Sequence, residues 1–252
     1  MRPDDAKKEL AAAVAGLKWV LSGLGMAGIH FFNPTATVGV VLEAMHGGEV
    51  AARPVAPAFS SERNPYAAEG LEKIAGELEG CDRCRLHTDR RTVVVGEGSD
   101  RSGLVFVGEG PGFEEDQQGR PFVGKAGKLL DKMIRAIGLG RGDVYICNVV
   151  KCRPPQNRTP LADEMEACLP FLFRQIEALK PRLVCALGAC AAQALLGRST
   201  PISKIRGKVL SWRGTPLICT FHPAYLLRNS AQKGAAWQDL REAHRVLNQK
   251  TG

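Results

Sequence analysis

The chain has 252 residues and a formal charge of +8, with 34 Lys and Arg set against 26 Asp and Glu. That length suits one large domain, or a domain with an appendage, and the basic balance favours a polyanionic partner over an acidic protein or a neutral metabolite. Only three Tyr and three Trp are present, which argues against broad aromatic stacking along a single strand.

The N-terminus, MRPDDAKKEL, mixes acids with bases, and the run from Leu10 to Val20 is broken by Lys18. Neither a secretory signal nor a membrane span is expected, and the setting that fits is cytoplasmic and reducing. KKELAAAVAGLKWVLSGLGM has apolar residues at helical spacing and predicts a helix ending near Gly23, Gly25 and Gly28. HFFNPTATVGVVLEAMHGG allows a second short element, and VAARPVAPAFSSERNPY reads as a linker. Residues 1–65 are therefore expected to be an accessory helical extension. They form either a docking or oligomerisation piece, on a chain otherwise expected to be monomeric, or a poorly ordered tail.

From Tyr66 to residue 252 the pattern changes. LEKIAGELEG predicts an amphipathic helix delivering Cys81. Short aliphatic runs predict strands at Leu104–Gly108, Val144–Val150, Leu183–Leu187 and Leu217–Phe221, with helices at Gly127–Ile137, Asp163–Leu179 and Ala189–Leu196 between them. Alternating strands and helices imply an α/β fold of three layers, α/β/α, around a central, mainly parallel four-stranded sheet. Sites in such sheets gather at the carboxyl ends of the strands. The polar segments fall there: GEGPG, NVVKCRPP, GAC and HPAY.

GEGPGF lacks the last glycine of a dinucleotide fingerprint, since Phe113 stands in its place, and Pro111 disturbs the turn. The sequence favours another reading, in which Gly108, Gly110 and Gly112 let a flat ligand approach the backbone. Glu109, Asn148 and His222 each end a predicted strand. Singly, each reads as a solvated or loop-satisfying residue. Together, a carboxylate, an amide and an imidazole can position water, read a base edge and stabilise an anion. The Asn amide matches the N3–H and O4 edge of uracil and mismatches that of cytosine.

Eight cysteines divide into two groups. Cys147, Cys185, Cys190 and Cys219 lie within apolar runs and read as core. Cys81 and Cys84 form C-x2-C, and Cys152 and Cys168 form C-x15-C, all at element ends. Four such thiols predict a metal centre, and the spacing does not choose between zinc and an iron–sulfur cluster.

GEGPGFEEDQQGRPFVGKAG, NVVKCRPPQNRTP and HPAYLLR, with the four cysteines in order, closely resemble the family 4 uracil-DNA glycosylases over roughly residues 70–245. These are iron–sulfur enzymes of base-excision repair. The resemblance implies that Cys81, Cys84, Cys152 and Cys168 hold a [4Fe–4S] cluster and that Gly108, Glu109 and Gly110 form the catalytic turn. Phe122 would stack on the extruded uracil, Asn148 would read its edge, and His222 would bond its O2. It further implies that Glu115 stands near the thymine 5-methyl position. Arg153, Arg158, Leu226, Leu227 and Arg228 would contact uracil-containing DNA, with the HPAYLLR loop entering the duplex. Three positions depart from the pattern: Gly110 where alanine is frequent, Phe113 where a polar or acidic residue is usual, and Ala224 where serine is common. RSTPISKIRGKVL has no histidine where a DNA-trapping relative carries a KRRIH-type loop, which favours turnover. Two other readings remain open, a uracil-DNA trap without turnover and an iron–sulfur redox protein.

Overall fold

The computed structural model describes residues 70–249, so the expected extension and linker at 1–65, and the start of the domain at 66, lie outside the described residues. Six strands form one sheet: β1 (Glu97–Gly98), β2 (Leu104–Gly108), β3 (Tyr145–Asn148), β4 (Leu183–Leu187), β5 (Val209–Trp212) and β6 (Thr215–Thr220). Their order is β1-β3-β2-β4-β6-β5. The central four, β3, β2, β4 and β6, run parallel, and β1 and β5 flank them antiparallel. The expected four-stranded parallel core is present, with an antiparallel strand added at each edge.

The edge strands escaped the pattern for physical reasons. β1 is two residues long and contains Gly98 at φ 107. β5 is mostly exposed, so it lacks the aliphatic run that marks the buried strands. It pairs with β6 through a two-residue turn, Arg213–Gly214, with φ 47 and 84 and Trp212 opposite Thr215. Those angles belong to a type I′ turn, where Asn-Gly is the usual signal and Arg-Gly a weak one.

Eight helices follow the chain among the described residues: α1 (Leu71–Glu79), α2 (Phe113–Gln118), α3 (Lys125–Ala136), α4 (Ala162–Leu179), α5 (Gly188–Leu196), α6 (Ile202–Ile205), α7 (Pro223–Arg228) and α8 (Lys233–Asn248). β2 and β4 are buried at every position, as strands covered on both faces must be. Successive residues point to opposite faces. Val105 and Val107 pack with Ile74 and Leu78 of α1 and Phe171 and Leu172 of α4. Leu104 and Phe106 pack with Leu130 and Ile134 of α3 and Leu240 of α8. Two cores on one sheet make the three layers. Among the described residues no helix is long and apolar enough to cross a membrane.

α8 is tied to the end of β6 by a buried polar group. Asp239 accepts from Thr220 Oγ1 at 2.7 Å and from Arg206 Nε at 3.0 Å. This fixes the strand end two residues before His222.

Candidate active site

Because β2, β3, β4 and β6 are parallel, their carboxyl ends lie on one side, and Gly108 pairs there with Asn148. The ladder continues past the strands, with Val149 N donating to Gly108 O at 2.9 Å and Val150 N to Glu109 O at 3.1 Å. Above these ends lies a cavity of about 680 Å³ whose walls include Glu109, Glu115, Phe122, Asn148 and His222. Gly110 and Gly112 line this cavity, and the glycines expected to allow a close ligand approach also make room for neighbouring protein groups. A Cβ on Gly108 would collide with Asn148 Oδ1 and the Phe122 ring, and one on Gly110 would sit 2.7 Å from Val150 Cγ2. The missing side chains make room for protein groups that build the cavity wall. Alanine at 110 would therefore press on Val150.

Phe122 is buried and holds φ at 51, a costly conformation for a bulky residue at about 1–3 kcal/mol. Its neighbours over-determine it. Arg141 donates to the carbonyls of Pro121 and Phe122. Glu115 Oε1 accepts from Val123 N and Gly124 N, both at 2.9 Å, and its Oε2 accepts from Gly112 N at 3.1 Å. Glu115 lines the cavity, but its carboxylate is bound to backbone amides and clamps the GPG and RPFVG segments together. The strained loop holds the Phe122 ring 5.6 Å from the His222 ring.

Asn148 is 1% exposed, and its Oδ1 is buried without a hydrogen-bond partner. An orphaned acceptor costs about 1–3 kcal/mol unless a ligand supplies the donor. Burial raises the Glu109 carboxyl above its ordinary value, opposed by a hydrogen bond with Thr159. His222 caps α7, its Nδ1 accepting from Ala224 N at 3.1 Å. That bond leaves the proton of the neutral ring on Nε2. Burial, and secondarily the charge of Arg228, push the imidazole down to about 4. At neutral pH the ring is an uncharged donor.

This geometry accords with the comparisons. The family model of the uracil DNA glycosylase superfamily matches residues 95–241, more than half of the chain. A type-4 uracil-DNA glycosylase of Thermotoga maritima is 52% identical over 171 residues, spanning 67% of this chain and 89% of that protein. One of Pyrobaculum aerophilum is 46% identical over 178 residues, spanning 68% of this chain and 91% of that protein. A type-5 uracil-DNA glycosylase of the same organism is 33% identical over 156 residues, 56% of this chain and 65% of that protein. The chain belongs to the uracil DNA glycosylase superfamily.

In this member of the superfamily the expected DNA-contact residues divide. HPAYLLR is the helix α7 and not a loop. Leu226 is 1% exposed and packs in the core, so the expectation that it enters the duplex is corrected. Helical spacing turns Leu226 inward while Tyr225, Leu227 and Arg228 stay exposed. Arg158 lines the cavity but is gripped by Glu164 at 2.6 and 2.8 Å, so its charge is largely matched within the protein. Arg153 lies over the Phe113 ring, at 5.0 Å from its centroid.

Cys81, Cys84, Cys152 and Cys168 line one small cavity on the α1/α4 side of the sheet. No group of three or more His, Cys, Asp or Glu among the described residues is arranged to hold a single metal ion. The donors around the sulfurs suit thiolates. Arg90 Nη1 donates to Cys152 Sγ at 3.3 Å, and the backbone amides of Leu86 and Lys151 donate to Cys84 and Cys168. Four cysteines in one cavity with such donors are of the kind that hold zinc or an iron–sulfur cluster. Sequence reasoning missed Lys151, which is fully buried beside this cavity. Its Nζ donates to Asn148 O at 2.7 Å and Gln175 Oε1 at 2.6 Å, linking the cysteine cavity to Asn148 in the wall of the larger one. Its only signal in the sequence was a lysine between a strand end and Cys152. The other four cysteines are buried, as expected.

Proposed function

We propose that this chain extrudes deoxyuridine from DNA and hydrolyses its N-glycosidic bond, releasing uracil and leaving an abasic site. Its relatives are named type-4 uracil-DNA glycosylases, and the observation that carries the reading is the orphaned Asn148 Oδ1 in a cavity shared with Glu109 and a neutral His222. Extrusion costs a few kcal/mol and exposes the base edge. Asn148 Oδ1 then accepts from N3–H and its Nδ2 donates to O4. Cytosine would set acceptor against acceptor and donor against donor. Phe122 supplies the stacking surface.

As the bond lengthens, negative charge develops on uracil O2 and positive charge on the sugar. The Nε2–H of His222 donates to O2, and because the ring is already neutral, no proton need leave it for the interaction to form. Glu109, ionised, orients water and opposes the charge on the sugar. Basic side chains, Arg228 among them, hold phosphates in a salt-dependent grip. Cys81, Cys84, Cys152 and Cys168 would hold a [4Fe–4S] cluster. Held there, it would cross-link the segment after α1 to both ends of the 152–168 stretch and would supply no atom to the reacting bond. The proposal sets the enzyme in the cytoplasm, as a monomer, with residues 1–65 serving docking and not chemistry.

Incubation with a labelled uracil-containing oligonucleotide, followed by alkali, tests the activity: multiple-turnover strand scission is expected. Bound but uncleaved DNA would favour a trap, and no action on DNA a redox role. Asn148→Asp is expected to slow uracil excision about a hundredfold, because a carboxylate has no donor for O4. A wild-type rate in that variant would remove Asn148 from base recognition.

The rate should also fall with acid in a defined way. Ionised Glu109 is the active form, and burial raises its pKa, so activity is lost as pH falls through a value above the ordinary carboxylate range. His222 stays neutral until about pH 4 and adds no limb above that. Single-turnover pH profiles should show the limb in wild type and lose it in the residual activity of Glu109→Gln. Retention of the limb in that variant would assign it to another group.

A further inference from the structure

Phe113 is the most exposed large apolar side chain among the described residues, at 52%. It opens α2, where the following residues, Glu114, Glu115 and Asp116, are the acids a helix start favours. A phenylalanine in this place gains little for folding. It lies in the wall of the uracil cavity, and its ring carries the Arg153 guanidinium at 5.0 Å from the centroid. Arg153 is itself aimed, since its Nε donates to Asn157 Oδ1 at 2.7 Å. Asn157 and the preceding Gln156 both sit at φ 55, a left-handed pair that non-glycine residues rarely adopt. Strained backbone thus holds the acceptor that holds the arginine over an exposed ring. Such strain persists where function requires a fixed geometry.

We propose that Phe113 and Arg153 form a stacking subsite for the nucleobase next to the extruded uracil, a contact that rests on the uracil-excision reading above. Every base offers a flat π-face, so an aromatic ring takes it without regard to sequence, and an adjacent guanidinium strengthens the stack and attracts phosphate. The same cavity is lined from α7 by exposed Leu227 and Arg228 beside Tyr225, which stacks on Phe221 at 5.1 Å. The strand would then meet two apolar–arginine pairs, Phe113 with Arg153 and Leu227 with Arg228. Since stacking on Phe113 needs no second strand, the subsite holds single-stranded DNA as well as duplex.

The test uses the full chain and oligonucleotides in which 2′-fluoro-deoxyuridine replaces the target; its fluorine disfavours the sugar cation and keeps the base attached. 2-Aminopurine is placed on the 5′ or the 3′ side. Extrusion of the uracil unstacks this neighbour and brightens it, and stacking on Phe113 quenches it again. At saturating protein, one of the two probes should be dimmer with wild type and Phe113→Tyr than with Phe113→Ala. Phe113→Ala should also bind the single strand about tenfold more weakly, with an unchanged melting temperature because the side chain is exposed. Equal fluorescence for wild type and Phe113→Ala with both probes would overturn the subsite and leave uracil excision standing. If wild type fails to release uracil from an ordinary deoxyuridine oligonucleotide, the excision reading falls and the subsite with it.

Discussion

Glu109→Ala and His222→Ala are each expected to slow single-turnover excision by about a hundredfold or more, with affinity for uracil-containing duplex changed only a few fold. The separation follows from where charge develops. Uracil O2 and the sugar gain charge as the bond breaks, whereas affinity is dominated by phosphates gripped by Arg and Lys at the rim. The effect at His222 should be large because the donor is fixed before the reaction. Its Nδ1 is already bound to Ala224 N, and its ring is neutral at working pH. Nothing must reorganise for Nε2–H to meet the anion. His222→Ala also removes the cap of α7, which alone costs about 1 kcal/mol. His222→Asn keeps a capping side chain but loses the donor at Nε2, so a comparable slowing in both variants isolates the chemical role. A saturated rate unchanged in His222→Ala, with weaker binding, would make the residue a DNA contact and move the catalytic centre elsewhere. Arg228→Ala should do the opposite of both, weakening binding and flattening its salt dependence while sparing the saturated rate.

The buried half of this fold was legible because parallel strands covered on both faces must be aliphatic throughout. Leu104–Gly108 and Leu183–Leu187 are found at the residues their hydrophobicity predicts. The helices between them follow their periodicity to within two residues at the N-terminal end, as in Lys125–Ala136 against an expected start at Gly127. The edge strands were not legible, since an exposed four-residue strand and a two-residue one carry no periodic signal. α2 and α7 are too short, at six residues each, for a helical stripe to register. At the site, residue types pointed to Glu109, Asn148 and His222, which share one cavity. What they could not give was orientation. The inward turn of Leu226 depends on helical phase, and the grip of Glu164 on Arg158 and the backbone clamp made by Glu115 depend on loop conformations that no periodic pattern encodes. Lys151 lay between a predicted strand end and a ligand cysteine, but nothing in its neighbourhood announced that a lysine would be fully buried there.

Cys152→Ala is expected to abolish the metal centre and with it most soluble, active protein, while Cys219→Ala keeps both. The contrast tests two buried cysteines in different surroundings. Cys219 lies in β6 within the core, and alanine there removes one sulfur from an apolar contact. Cys152 faces Cys81, Cys84 and Cys168 in a shared cavity ringed by Arg83, Arg90 and Lys151. As free thiols three of them resist ionisation, with burial pushing Cys168 up to about 12 and raising Cys152 and Cys84. Three basic side chains line the cavity with the thiols, a setting that favours thiolates. A cluster held by the four thiolates would supply the negative charge, which is why metal binding and folding should be linked here. The purified protein should therefore be brown, with about four irons per chain for a cubane cluster. The effect should reach the active site, because Cys152 is followed by Arg153 and preceded by Lys151, whose Nζ holds the Asn148 carbonyl at 2.7 Å. Iron content, visible absorption and melting temperature should fall together in Cys152→Ala and in Cys168→Ala. Colourless wild-type protein carrying stoichiometric zinc after anaerobic preparation would replace the cluster with a zinc site. Full iron content in Cys152→Ala would remove that residue from the ligand set.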